Sequence, residues 1–96
     1  MDLQTLREQY KTRILAIAKE HRADNIRVFG SVARGNATES SDIDLLVHFN
    51  AEASLLDLAA LDRKLTELIG REVDVVSDRA IRENIAPHIL NDATPL

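Results

Sequence analysis

Apolar residues recur at helical spacing in two stretches of the chain, and these stretches predict two amphipathic helices. From Leu3 to His21, apolar side chains fall three and four residues apart, with charged residues between them. From Leu55 to Ile69, leucines repeat at the same spacing. Ser54 and Asp57 form a capping-box pattern at the start of the second helix, and Gly70 follows it as a C-terminal stop.

Shorter apolar runs predict three β-strands. They extend from Ile26 to Phe29, from about Asp42 to Phe49, and from Arg71 to Ser77. In the second strand, alternation places Ile43 and every second residue after it on the core face, with Asp42 and Asp44 on the other face. The helix before the third strand gives a crossover that suits parallel pairing. The sequence therefore predicts an α/β fold, a small mixed sheet of about three strands with helices mainly on one face.

The remaining segments predict turns, a loop and a final helix. Ala23 to Asn25 has the composition of a turn, and the polar stretch Asn36 to Ser41 lacks periodicity and predicts a loop. Ile81 to Leu90 carries a helical stripe that Pro87 should break or kink, and the tail from Asn91 to Leu96 should be loose. Asn50 to Ala53 reads as a short linker before the second helix. Since the 96 residues contain no internal repeat or low-complexity tract, we predict a single domain over residues 1–96.

Composition narrows the class of function. The chain has a net charge of -4 and only three aromatic residues, which makes nucleic acid an unlikely substrate, because proteins that bind it are usually basic and stack bases on aromatic rings. The absence of cysteine fits a reducing compartment. The N-terminus has no signal pattern, and no apolar run approaches membrane-spanning length. These features predict a cytoplasmic protein with no membrane partner.

Most candidate functional residues lie between Gly30 and Asp44. The sequence of this segment is G-S-V-A-R-G-N-A-T-E-S-S-D-I-D. Asp42 and Asp44 should stand side by side, about 6–7 Å apart along their strand. Two carboxylates at that distance repel each other unless a proton or a cation lies between them. A hard divalent ion with oxygen ligands, such as Mg²⁺, is the natural occupant, so the pair predicts a metal site.

Residues upstream of the carboxylate pair carry groups that attract phosphate. Gly30 and Ser31 offer backbone N–H groups at a helix start, and Arg34 adds a planar cation. Ser31 serves either as a helix N-cap or as a ligand of the terminal phosphate. Gly35 makes a turn that lets the backbone approach a phosphate, and Ser41 either supports the loop or accompanies the phosphates. Phosphate donors beside a metal-binding pair indicate phosphoryl or nucleotidyl transfer.

The same residues carry a family resemblance. Gly30-Ser31, followed after ten residues by Asp42-Ile43-Asp44, resembles the signature of the DNA polymerase beta-like nucleotidyltransferase superfamily. The longer string G-S-x-A-R-G-x-x-x-x-x-S-D-I-D-L-L-V is similar to that of its smallest branch, the minimal nucleotidyltransferase (MNT) domains. The strand around Asp74 fits the one that bears this family's third carboxylate. The resemblance covers nearly the whole chain and implies a palm-like nucleotidyltransferase fold.

The resemblance also implies roles and partners. Asp42, Asp44 and Asp74 would be catalytic residues and ligands of two Mg²⁺ ions, with Asp74 a candidate acceptor of the attacking hydroxyl's proton. The substrate would be ATP or another NTP, which donates NMP to a hydroxyl. MNT proteins are commonly antitoxins paired with a HEPN-domain toxin, and the acceptor in that family is a tyrosine of the toxin.

Two alternatives to this enzymatic antitoxin stay open. One is a non-catalytic binding module that neutralises its partner by covering its surface. The presence of all three carboxylates argues against simple degeneration to such a module. The other is a small-molecule nucleotidyltransferase, and this chain lacks the additional surface with which such enzymes hold their acceptor.

Overall fold

The computed structural model describes residues 1–80 and 86–96. The helices are α1 (Leu3–Glu20), α2 (Gly30–Arg34), α3 (Leu55–Ile69) and α4 (Ala86–Asp92), and the strands are β1 (Ala23–Phe29), β2 (Ile43–Phe49), β3 (Val73–Ser77) and β4 (Thr94–Pro95). A short 3-10 turn, Asp78–Ala80, follows β3. Within the described ranges, none of the helices combines the length and the apolar character that crossing a membrane requires.

The sheet has four strands in the order β3-β2-β1-β4. β2 pairs antiparallel with β1 and parallel with β3, so the sheet is mixed and the parallel crossover through α3 is confirmed. The fourth strand corrects the expected count of about three. β4 is only two residues long and pairs antiparallel with β1 at the edge of the sheet.

The prediction of a loose C-terminal tail is wrong. α4 extends to Asp92, and the last residue, Leu96, is 5% exposed. The Leu96 backbone N–H donates to the carbonyl oxygen of Ile26 at 3.0 Å, and Arg7 Nε donates to the Leu96 carbonyl oxygen at 2.9 Å. A strand this short has no hydrophobic period, so its pairing with the edge of the sheet was not readable from the sequence.

The predicted helix from Ile81 to Leu90 is described only in part. Its first five residues, 81–85, lie outside the described ranges. Pro87 lies inside α4, which is described from Ala86 to Asp92. Whether it breaks or kinks a longer helix, as the sequence predicts, depends on residues outside the described ranges.

The segment from Ala23 to Asn25 is strand, not the predicted turn. β1 therefore starts three residues earlier than expected, and the chain turns at His21 and Arg22 instead. The pairing of β1 with β2 shifts register between Asp24 and Arg27, and Asn25 has a φ of 48°. A bulge of this kind uses the same residue types as a turn, which explains the error.

The core lies between the sheet and the helices α1 and α3. Ile43, Leu45, Val47 and Phe49 of β2 are all buried there, as the alternation predicted. Leu46 is also buried, although it lies on the opposite face. Burial of four residues on one face fixes the orientation of β2, since a slip by one residue would exchange the two faces. Asp44 is thereby held on the face away from α1 and α3.

Both predicted ends of α3 are confirmed. Ser54 is the N-cap, and it forms a complete capping box with Asp57. Gly70 ends the helix in the left-handed conformation, with a φ of 76°. These local signals fix where α3 begins and ends, and they set the path of the chain into β3.

Candidate active site

Asp44 and Asp74 are direct neighbours on the two parallel strands. Their Cα atoms are register partners, and adjacent strands lie about 4.8 Å apart. Burial raises the pKa of Asp44, and the charges of Asp74 and Asp42 raise it further. Burial also raises the pKa of Asp74, with added repulsion from Asp42 and Asp62. The fold therefore brings the three predicted carboxylates into mutual electrostatic contact.

Gly30 makes room for the Asp44 carboxylate. Phe29, the last residue of β1, is paired with Asp44, so Gly30 begins α2 directly beside that side chain. A Cβ built on Gly30 would collide with Oδ2 of Asp44, and the φ of Gly30 is 72°. Glycine is thus required here for two separate reasons, the left-handed backbone and the close approach of a carboxylate.

The structure distinguishes between the two predicted roles of Ser31, helix N-cap and phosphate ligand. Phe29 occupies the N-cap position of α2, and Ser31 is the second residue inside the helix. The N-cap alternative is therefore wrong, and the phosphate contact stays a prediction. Gly35 caps the other end of α2 in the left-handed conformation, with a φ of 80°. Turn geometry alone accounts for a glycine at that position.

Arg34 lies beside the carboxylates but is held by the C-terminal helix. Its Nη1 donates to Oδ2 of Asp92 at 2.6 Å, and its side chain is 49% exposed. Its positive charge also reaches Asp44, since it opposes the rise in the pKa of that carboxyl. Sequence reasoning missed Asp92, because it lies in a segment that was expected to be loose.

The loop before Asp42 is held by its own serine and by a distant arginine. Ser41 Oγ accepts a hydrogen bond from the Thr38 backbone N–H at 2.8 Å, which supports the structural reading of Ser41. Arg71 donates to the carbonyl oxygens of Thr38 at 3.4 Å, Ser41 at 3.5 Å and Glu39. Sequence reasoning also missed Arg71, because an arginine at a strand start has no pattern that distinguishes it from a surface residue.

The donor chemistry of the site fits a divalent cation. Carboxylates with raised pKa values lose their mutual repulsion when a cation binds between them. Over residues 1–80 and 86–96, no three histidine, cysteine or acidic side chains are gathered tightly enough to hold a metal ion. Mg²⁺ needs only one or two carboxylates when substrate phosphates and water complete its shell. The assignment of all three carboxylates as metal ligands stays a prediction.

Two grooves in the structure lie away from the carboxylates. A groove of about 400 Å³ is lined by residues such as Lys19, Arg22 and Asn25, at the end of β1 opposite to Gly30. A groove of about 230 Å³ lies beyond the C-terminal end of β2, beside Phe49. The carboxylates line neither groove; Asp44 and Asp74 lie on the adjacent strands β2 and β3, and Asp42 directly precedes β2.

Comparison with known proteins identifies the family. Residues 11–94 match the family model described as a nucleotidyltransferase domain. The chain belongs to the nucleotidyltransferase domain family. A Methanocaldococcus jannaschii relative that is named a protein adenylyltransferase is 41% identical to this nucleotidyltransferase over 85 residues, which cover 88% of this chain and 91% of the relative.

Solved structures agree with this membership. One described as a minimal nucleotidyltransferase matches with a TM-score of 0.86 and 46% identity, and covers 100% of this chain and 97% of its own. A chain from the complex of a tri-AMPylated Shewanella oneidensis HEPN toxin with its MNT antitoxin matches with a TM-score of 0.69, over 97% of this chain and 71% of that one. At 20% identity the second match supports the fold alone. The predicted fold class and the resemblance to the MNT domains are confirmed.

Proposed function

We propose that this nucleotidyltransferase transfers AMP from Mg-ATP to a hydroxyl of a partner protein, and that it acts as the antitoxin of a HEPN-type toxin. The observation that carries the proposal is the register of Asp44 and Asp74, coupled electrostatically to Asp42. The name of the M. jannaschii relative supports a protein as acceptor. The shared fold with a chain from a complex of an AMPylated HEPN toxin and an MNT antitoxin makes a HEPN-type protein our candidate partner. Tyrosine as the acceptor is what the resemblance to the MNT domains implies.

The transfer is a substitution at the α-phosphorus of ATP. The acceptor oxygen forms a new bond to that phosphorus, the bond to the bridging oxygen breaks, and pyrophosphate leaves with the electron pair. Asp74 accepts the hydroxyl proton, and its raised pKa makes it a better base for this step than an ordinary aspartate. Asp42 and Asp44 would hold Mg²⁺, which supplies positive charge to the triphosphate when bound.

In this proposal the residues around α2 bind the phosphate groups of the substrate. Gly30 and Ser31 present backbone N–H groups beside Asp44, and Arg34 adds a cation at the other end of the same short helix. Gly35 ends that helix, and Ser41 supports the loop that leads to Asp42. A triphosphate placed over α2 therefore has its metal-binding carboxylates on one side and an arginine on the other.

The position of the carboxylates outside both described grooves favours a macromolecular acceptor. Pockets for small molecules usually enclose most of the ligand surface, whereas the two grooves described above lie away from the carboxylates. A protein acceptor brings its own surface to close the site. The net charge of -4 and the three aromatic residues disfavour nucleic acid in that role.

The test is to mix the purified protein, Mg-ATP and the product of the neighbouring gene, and to measure the intact mass of that product. We expect a gain of one or more AMP units, and peptide mapping should place them on tyrosine. Asp42→Asn is the control and should leave the neighbour unmodified. If the neighbour is inhibited in the complex but keeps its mass, the protein is a binding module and not a protein-modifying enzyme.

A further inference from the structure

The ion pair between Arg34 and Asp92 joins two distant parts of the chain at the edge of the site. Arg34 is the last residue of α2, and Asp92 is the last residue of α4. The contact is short, at 2.6 Å between Nη1 and Oδ2. The side chain of Arg34 is 49% exposed and that of Asp92 is 23% exposed, so the pair lies at the surface and remains accessible to a ligand.

Arg34 is tied to the carboxylate site through the short helix α2. The helix begins at Gly30, where an added Cβ would collide with the Asp44 carboxylate, and it ends at Arg34. Four residues separate these two positions, which is about one helical turn. The arginine that Asp92 contacts therefore lies about one turn along the helix that starts beside Asp44.

The segment that carries Asp92 is anchored on the sheet. The Ala93 backbone N–H donates to the carbonyl oxygen of Ile89 at 2.9 Å, and β4 begins at the next residue, Thr94. Leu96 is buried in the core, and Arg7 donates to its carbonyl oxygen. Asp92 thus stands on a backbone fixed on both sides, whereas Arg34 has a long, half-exposed side chain with many rotamers of its own.

Building on the nucleotidyltransferase function proposed above, we propose that Asp92 is a positioning residue for the nucleotide, because it holds one arm of Arg34 and directs the rest of the guanidinium to the phosphates. Among the described contacts, Asp92 engages one of the five N–H donors of Arg34. No described residue occupies the other donors, which can serve phosphate oxygens, since guanidinium groups bind these in a forked geometry. Holding the side chain beforehand removes part of the ordering cost of binding. The C-terminal segment thereby becomes part of the nucleotide site.

The experiment measures the Kd for Mg-ATP by calorimetry in four proteins: wild type, Asp92→Asn, Arg34→Ala and the double variant. We expect Asp92→Asn to weaken binding about two- to five-fold, the range of an accessible ion pair. In the Arg34→Ala background the same change should have no effect, since its action passes through Arg34. Glu67→Gln, which breaks the exposed pair with Arg63 on α3, is the matched control and should bind like wild type.

Thermal melts without nucleotide separate positioning from folding, and Asp92→Asn should melt close to wild type because the pair is exposed. Tighter binding by Asp92→Asn would show that Asp92 competes with phosphate, and unchanged binding would show that it does not position Arg34. Equal weakening in both backgrounds would assign the effect to the fold. If wild type itself does not bind Mg-ATP, the proposed function fails and the role of Asp92 falls with it.

Discussion

The carboxylate of Asp57 and the carboxylates around Asp44 have opposite electrostatic surroundings. Asp57, at the start of α3, accepts a hydrogen bond from the Ser54 backbone N–H at 3.0 Å, and its oxygens lie 3.3 Å from His21 Nδ1 and 3.5 Å from Arg22 Nη1. The hydrogen bond from Ser54 lowers the pKa of Asp57, and the hydrogen bond with His21 and the charge of Arg22 lower it further. Burial raises the pKa of Asp44, and the charges of its two carboxylate neighbours raise it further.

The difference shows how this fold separates structural from functional charge. Around Asp57, donors from the chain stabilise the carboxylate, and the result is a helix cap. Around Asp44, the chain supplies more negative charge, and of the described cations Arg34 is the one that acts on its pKa. An arrangement that is unfavourable by itself gains most when a cation from solution binds. The contrast between the two regions therefore predicts which substitutions affect ligand binding and which affect stability.

The largest effect should come from removing the negative charge at the site. Asp42→Asn combined with Asp44→Asn should abolish the increase in melting temperature on adding Mg-ATP, together with any transfer. Without ligand, the double variant should remain folded and should melt no lower than wild type, because a repulsive pair is gone. Differential scanning calorimetry with and without Mg-ATP gives both results.

Asp57→Asn is the control from the other region. It removes a favourable set of contacts, so it should lower the melting temperature while the shift on adding Mg-ATP persists. If the site double variant kept its full ligand-induced shift, the nucleotide would bind elsewhere. If Asp57→Asn lost the shift, the separation of the two regions would be wrong.

The second effect concerns the glycine that gives Asp44 its space. Gly30→Ala should lower the free energy of unfolding by about 1 kcal/mol or more, because alanine is strained at a φ of 72°. Its Cβ also collides with the Asp44 carboxylate, so we expect Mg-ATP binding to weaken at least about tenfold, in line with misplaced ligand groups. Urea denaturation and calorimetric titration measure the two quantities.

Gly70→Ala is the control that distinguishes backbone strain from displacement of the Asp44 carboxylate. Gly70 has nearly the same φ, 76°, but among the described atoms a Cβ there would meet nothing within 4 Å. It should cost a similar amount of stability and leave nucleotide binding unchanged. Equal binding by the two variants would mean that the position of Asp44 does not depend on Gly30.

The sequence predicted those parts of the fold and site that are specified locally. The alternation in β2 placed Ile43 and its partners in the core, and the Ser54 and Gly70 signals fixed α3. These features depend on residue type and spacing within a few positions. The G-S and D-I-D strings predicted the neighbourhood of Gly30 and Asp44 for the same reason, since only the short helix α2 and one loop connect their strands.

Contacts between distant segments were not predictable from the sequence. Arg34 meets Asp92 across 58 positions, and Arg71 reaches the loop of Ser41 across 30. Neither arginine has a periodic or turn signal that indicates a partner. Such contacts depend on how the finished sheet brings its edges together, and β4 contributes to that arrangement with two residues alone.

A smaller effect is expected from Arg71, which supports the loop before Asp42. Arg71→Met should leave the carbonyl oxygens of Thr38 and Ser41 without this donor, so the position of Asp42 should become less defined. We expect Mg-ATP to bind several-fold more weakly, because the lost free energy is about that of one or two hydrogen bonds from a charged donor. Titration of Mg²⁺ at fixed ATP should show the loss as a higher metal requirement.

Arg71→Lys sharpens this test. Lysine keeps the charge but lacks the planar fork that can reach several carbonyl oxygens at once. It should therefore restore only part of the metal affinity. If lysine restored the metal affinity in full, Arg71 would act through its charge alone. If Arg71→Met left the affinity unchanged, the contact between Arg71 and the loop would have no role in nucleotide binding.

The smallest effect is a pH dependence of stability without ligand. The folded-state pKa of Asp44 is raised above its ordinary value of 3.8, so the folded protein binds this proton more tightly than the unfolded chain does. The resulting destabilisation is present above the folded-state pKa and disappears as the pH falls through it. Asp44→Asn should thus be slightly more stable than wild type at about pH 7, and the difference should vanish towards about pH 4. Urea denaturation of both proteins across this range measures it, and Asp57 cancels because it is present in both. A difference that stayed constant or grew on acidification would mean that burial and the neighbouring carboxylates do not destabilise ionised Asp44, and the contrast with Asp57 would then lose its physical basis.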